Sequence, residues 1–117
     1  MNVQAPPPND YIRLSVALFD NPKLAKLADH EGMETYTIWI YLLLSAKRAR
    51  FLGRIIAPPV RVSRMVGLDV ALTERIIEGL VRIRSLVRID PDGDPWHFQI
   101  RNWHTWQSMT KSERDKK

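Results

Sequence analysis

Residues 69–84 read DVALTERIIEGLVRIR, and their spacing decides the fold. Leu72, Ile76, Leu80 and Ile83 recur at helical spacing and form one apolar stripe. The opposite face carries Ala71, Glu74, Arg75, Glu78 and Arg82. Asp69 stands where an N-cap belongs, able to accept a backbone N–H of the first turn. Upstream, Val60–Val66 reads as a short helix, and Gly67-Leu68 breaks it. Downstream, Leu86–Asp90 and Trp96–Ile100 alternate with period two around a Pro-Asp-Gly turn, as hairpin strands do. Short helix, tight turn, longer helix and hairpin is the order of a winged helix-turn-helix. The expected fold class is therefore mainly α with a small antiparallel β hairpin or sheet.

The 117 residues suffice for one domain with a single core. Hydrophobic content of 44% and charged content of 26% are those of an ordinary globular protein. With no cysteine there is no disulfide framework, thiolate metal site or Cys nucleophile, which agrees with a cytoplasmic protein. The longest apolar run, Ile38–Leu44, is far short of the ~20 residues of a membrane span. The start, MNVQAPPPND, lacks the basic and apolar regions of a signal peptide. Net charge is +5, and Lys47, Arg48, Arg50, Arg54, Arg61 and Arg64 follow one another with no acid between them. Such a run suits phosphate contact.

Before this motif, residues 1–9 read as a disordered leader because three successive prolines fit neither helix nor ladder. Tyr11–Val16 alternates as a short strand that would complete a three-stranded sheet, or else leads into a helix through Phe19. Asn21-Pro22 is a helix start, followed by a helix over Lys23–Asp29 that buries Leu24 and Leu27 and ends at His30-Glu31-Gly32. Glu34–Arg50 is the longest helix, with Tyr36, Ile40, Leu43, Leu44 and Trp39 on a broad apolar face. Lys47, Arg48 and Arg50 close its last turn, where cations suit the helix dipole whether or not they also face phosphate. Gly53–Ile56 is a turn into an extended segment that Pro58-Pro59 stops. In the short helix, Val62, Met65 and Val66 are expected inside and Arg61 and Arg64 outside. Ser85 occupies the place where a C-terminal glycine would be usual. After the hairpin, Trp103 and Trp106 fall on one side of a helical turn, more simply a clasp on the core than a stacking surface for bases. Residues 10–108 form the expected domain, and 109–117 are a charged tail or the start of a linker helix opened by the capping box Thr110–Glu113.

Catalytic and metal motifs are missing from the sequence. Asp90, Asp92 and Asp94 do not make a calcium loop, because Gly93 falls at the fourth position and Arg101 at the twelfth. His30, His97 and His104 are scattered, and no phosphate-binding glycine loop or nucleophile elbow is present. The sequence reads as a non-enzyme without cofactor, metal or small-molecule substrate.

The remaining chemistry is that of double-stranded DNA binding. A winged helix sets the second helix of its motif in the major groove, so Val70, Ala71, Thr73 and Glu74 would face bases and Arg75 would reach a phosphate or a guanine edge. Arg61 and Arg64 would neutralise phosphates, with Lys47, Arg48, Arg50 and Arg54 extending the track. Glu74 and Glu78 on the outward face and the acidic tip Asp90–Pro95 oppose the simplest docking. A Glu78–Arg82 pair at i,i+4 would leave a solvated helix face instead.

Three blocks add a resemblance. Tyr11-Ile12-Arg13-Leu14 with Phe19-Asp20-Asn21-Pro22-Lys23, then Ile38-Trp39-Ile40-Tyr41-Leu42-Leu43, then Ile100-Arg101-Asn102-Trp103 with Gln107, resemble in order and spacing the N-terminal domain of phage replisome organisers, a winged-helix family related to DnaD-like primosome proteins. The likeness spans about Tyr11 to Gln107. It implies origin binding during phage or prophage replication initiation, self-association, a helicase or helicase loader as partner, and a further C-terminal region. Ser85 and the acidic wing depart from the family pattern. Two other readings stand beside it: a protein–protein or oligomerisation module, and a transcriptional regulator, since the fold alone does not separate these roles.

Overall fold

Asn21 does what its position predicts. In a computed structural model describing residues 21–49 and 51–103, its side-chain oxygen accepts the backbone N–H groups of Lys23 and Leu24 at 3.0 and 3.2 Å. Pro22 takes the first helical position of α1 (Pro22–Glu31), which stops at Gly32. Helix α2 (Glu34–Ala49) follows and buries Ile38, Trp39, Leu42, Leu43 and Ala46. Its inward stripe is rotated from the expected one: Ile40 is only part-buried and Leu44 is exposed. A helix apolar over more than half its circumference does not fix the centre of its buried face by periodicity. The elements packed on α2, namely α1, β1, α3 and α4, make that choice.

Strand β1 (Arg54–Ile56) leads to α3 (Pro59–Val66) and α4 (Val70–Arg82), then β2 (Leu86–Arg88) and β3 (His97–Ile100). The turn between α3 and α4 rests on Gly67, whose φ of +75° is open to glycine at little cost, and its N–H donates to the Ser63 carbonyl. Asp69 caps α4, accepting the Leu72 N–H at 3.0 Å. An Asp69→Ala variant is therefore expected to lose about 1 kcal/mol of stability in urea unfolding while the folded spectrum stays unchanged.

Within the motif the buried set differs from the expected stripes in detail. On α3, Val62 and Ser63 point inward and Met65 is exposed. Ser63 is tolerated there because its hydroxyl donates to the Val60 carbonyl at 2.9 Å. On α4 the fully buried row is Thr73, Ile76, Ile77 and Leu80, flanked by part-buried Leu72 and Ile83. The end of α4 is a Schellman turn: the Ser85 N–H donates to the Leu80 carbonyl and the Arg84 N–H to that of Val81. The left-handed residue is Arg84, with φ +66°, so the position that favours glycine lies one residue before Ser85.

The three strands form an antiparallel sheet in the order β1-β3-β2. Phe98 on the central strand faces Ile55 on one side and Arg88 on the other, and Ile100 faces Leu86. The third strand of the sheet is β1, paired with β3; Tyr11–Val16 lies outside the described residues, as do the leader, Trp106 and the capping box at Thr110. Strand β2 is shorter than Leu86–Asp90, although the Ile89 N–H still reaches the His97 carbonyl at 3.0 Å. The inner sheet face, with Ile55, Leu86, Phe98 and Ile100, closes the core against the helices. Trp103 is buried in that core, as a clasp should be. A helix, a strand, two helices in tight succession and a hairpin returning beside the first strand make a winged helix-turn-helix, with α1 added against α2 and α4. Among the described residues no helix is long and apolar enough to cross a membrane.

Candidate nucleic-acid interface

The outward side of α4 is where a winged helix normally reads DNA, and here part of it is already partnered. Helix α1 lies along one flank of it. Gly79 permits that approach, since a Cβ there would stand 2.5 Å from a Leu27 methyl. At the same seam Arg75 Nε donates to Glu31 Oε1 at 3.2 Å. Glu31 is nearly covered, its side chain 11% exposed, so this pair couples α1 to α4 more firmly than a fully solvated one would. On the hairpin side, Arg88 donates to Glu78 Oε2 at 2.8 Å and to the Pro95 carbonyl at 2.9 Å. Its guanidinium carbon also lies 5.6 Å from the ring centres of both Trp96 and Phe98. Glu78 thus pairs with the hairpin and not with Arg82. The strand alternation hints at this, because Arg88 shares the parity of core residue Leu86 and a charge at such a position requires a partner.

The expected contact set divides accordingly. Val70, Ala71 and Glu74 are exposed along the first turns of α4. Thr73 is not: it is 0% exposed, and its hydroxyl donates to the Asp69 carbonyl at 2.8 Å, so it does not reach a base. The position sits on the inward row with Ile76, Ile77 and Leu80, where Thr is accepted because the helix backbone satisfies its hydroxyl. Thr73→Val is expected to leave duplex DNA affinity unchanged in an anisotropy titration and to alter stability by less than about 1 kcal/mol, since the Asp69 carbonyl keeps the Thr73 N–H. Arg75 is exposed yet engaged with Glu31.

Arg82 stays exposed on α4 without an ion pair among the described residues, and further exposed cations lie elsewhere. Arg61 and Arg64 stand on the exposed side of α3, one turn apart. Arg54, on the outer face of β1, and Arg61 line one groove with Arg101, and no acid lines it among the described residues. Arg48 is exposed near the end of α2, whereas Lys47 is part-buried and already interacts. Arg50 lies outside the described residues. None of Arg48, Arg54, Arg61, Arg64 and Arg101 pairs with a carboxylate among the described residues.

The wing tip is acidic and exposed from Asp90 to Pro95. Asp90 turns back to accept the Gly93 N–H at 3.1 Å, and Asp94 accepts the Trp96 N–H at 2.9 Å. These carboxylates shape the turn, and their charge would repel a phosphate backbone. Among the described residues no three His, Asp or Glu side chains gather as a metal site. Comparison with family models, curated proteins and solved structures gives no match for this chain.

Proposed function

We propose that this domain binds double-stranded DNA in phage-type replication initiation, using Arg61 and Arg64 of α3 together with Arg54 of β1 and Arg48 of α2. The observation that carries the reading is the segregation of charge. The arginines of α3 and β1 are exposed and unpaired among the described residues, whereas the outer face of α4 mixes acids with cations: Arg75 pairs with Glu31, Glu78 pairs with Arg88, and exposed Arg82 shares the face with exposed Glu74; the wing is acidic. Phosphates approach the first surface and avoid the second. The replication role rests on the resemblance to phage replisome organisers, which also supplies self-association and a helicase or loader as partner; the absence of cysteine accords with work in the cytoplasm. Fluorescence anisotropy across a salt series, with one duplex from the protein's own gene neighbourhood and one scrambled, tests it. A steep slope with preference for the native duplex establishes sequence-specific binding. A steep slope without preference assigns specificity to assembly. No binding at low salt removes DNA from the account.

The ion-paired face of α4 favours a second reading, in which the winged helix is a protein–protein or oligomerisation module of a replication complex. Concentration-dependent molar mass by light scattering, without DNA binding, distinguishes it.

A further inference from the structure

The outer face of the sheet carries a surface that DNA binding does not explain. Phe51 and Leu52 are 68% and 74% exposed, and Ile56 and Val87 stand out beside them on β1 and β2. An exposed apolar cluster of this kind, rimmed by charge, is unusual on a surface that meets only water. It is also held in place. Leu52 adopts φ +58°, a region that costs a leucine, and Gly53 follows at +87°. Gln99 fastens this turn by donating to the Leu52 carbonyl at 2.9 Å. Trp103 fills the space beneath Gly53, where a Cβ would meet its ring at 2.6 Å. The turn therefore presents its two apolar side chains outward in a fixed geometry. The rim of the same groove is Arg54, Arg61 and Arg101, and among the described residues no acid lines it.

We infer that this groove docks an acidic peptide segment of a partner protein, one with bulky apolar anchors set among Asp and Glu. Charge complementarity selects the acidic partner. The anchors select a peptide over a nucleic acid, because three of the four exposed apolar groups are aliphatic and offer no face for stacking bases. The peptide shares Arg54 and Arg61 with the DNA reading but does not depend on it, so its ligand and duplex DNA would compete.

Selection of a random displayed peptide library, about sixteen residues long, against the full chain tests the inference. Recovered peptides are expected to be rich in Asp and Glu with Leu, Phe or Trp. Their affinity is expected to fall at least tenfold in Arg54→Glu/Arg101→Glu and several-fold in Phe51→Ser, all exposed positions, and to be unchanged in Arg64→Ala. Failure to enrich acidic apolar peptides, or equal binding by the groove variants, overturns the inference. So does binding of oligo-dT that Phe51→Ser abolishes, which would assign the groove to single-stranded nucleic acid. So does concentration-dependent self-association that the groove variants abolish, which would make the acidic wing of a second copy the occupant. Duplex binding that persists in Phe51→Ser and falls in Arg64→Ala keeps the two readings separable.

Discussion

A Phe98→Ala variant is expected to lose roughly 3–5 kcal/mol of folding stability, far more than the loss of the Asp69 cap. Phe98 is fully buried on the central strand, so its ring touches both the helical layer and the neighbouring strands. It meets Trp96 edge to face at a centroid separation of 6.3 Å, and the Arg88 guanidinium lies against the same ring. Alanine removes the transfer energy of the ring and leaves a cavity that three strands held in register cannot collapse around. A domain of this size has a total stability of only ~5–15 kcal/mol, so the variant should melt more than about 10 °C lower. Chemical denaturation should show a lower midpoint with an unchanged slope. Phe98→Leu keeps most of the volume and should lose clearly less. A loss below about 1 kcal/mol for Phe98→Ala would mean that the sheet is not packed on the helices in the way described.

The same residues show why much of the fold is legible in the sequence. The alternation of Trp96–Ile100 sends Phe98 and Ile100 inward, and the short, strongly punctuated elements around Gly67, Asp69 and Pro58-Pro59 leave few alternatives. What is less legible depends on partners distant in sequence. The alternation of β2 says that Arg88 needs a partner, but nothing local names Glu78 as that partner, or tells that Glu31, 44 residues away, holds Arg75. The apolar periodicity of α4 is compatible with a stripe through Leu72 or one through Thr73; in the fold α1 approaches the helix at Gly79, Leu72 is left part-buried and Thr73 goes to the core. The site suffers most from this, since a shift of one residue on a helix moves a side chain by 100° and turns an expected base contact into a core residue. The arginines of α3 and β1 escape the problem because long cationic side chains are rarely buried without partners, so their exposure follows from residue type.

Replacing both Arg61 and Arg64 by alanine is expected to weaken duplex DNA binding by about 100-fold at low salt. Each contact between an arginine and a phosphate contributes ~1.5 kcal/mol, and two such losses correspond to about two decades in Kd. The loss should fall equally on the native and the scrambled duplex, because phosphate contacts carry no sequence information. It should also shrink as salt rises. Each neutralised phosphate contributes about 0.9 to the slope of log K against log salt, so the double variant should flatten that slope by ~1 to 2. The two readouts must move together. A lower affinity with an unchanged slope would indicate a folding defect or a lost non-ionic contact, and an unchanged affinity would remove α3 from the interface. Both residues are exposed and make no ion pair among the described residues, so the fold should tolerate their truncation and the folded spectrum should be retained. Thr73→Val is the matched control on α4. If it weakened binding as much as the arginine pair, duplex contact would have to pass through the buried row of that helix, which requires the core to open.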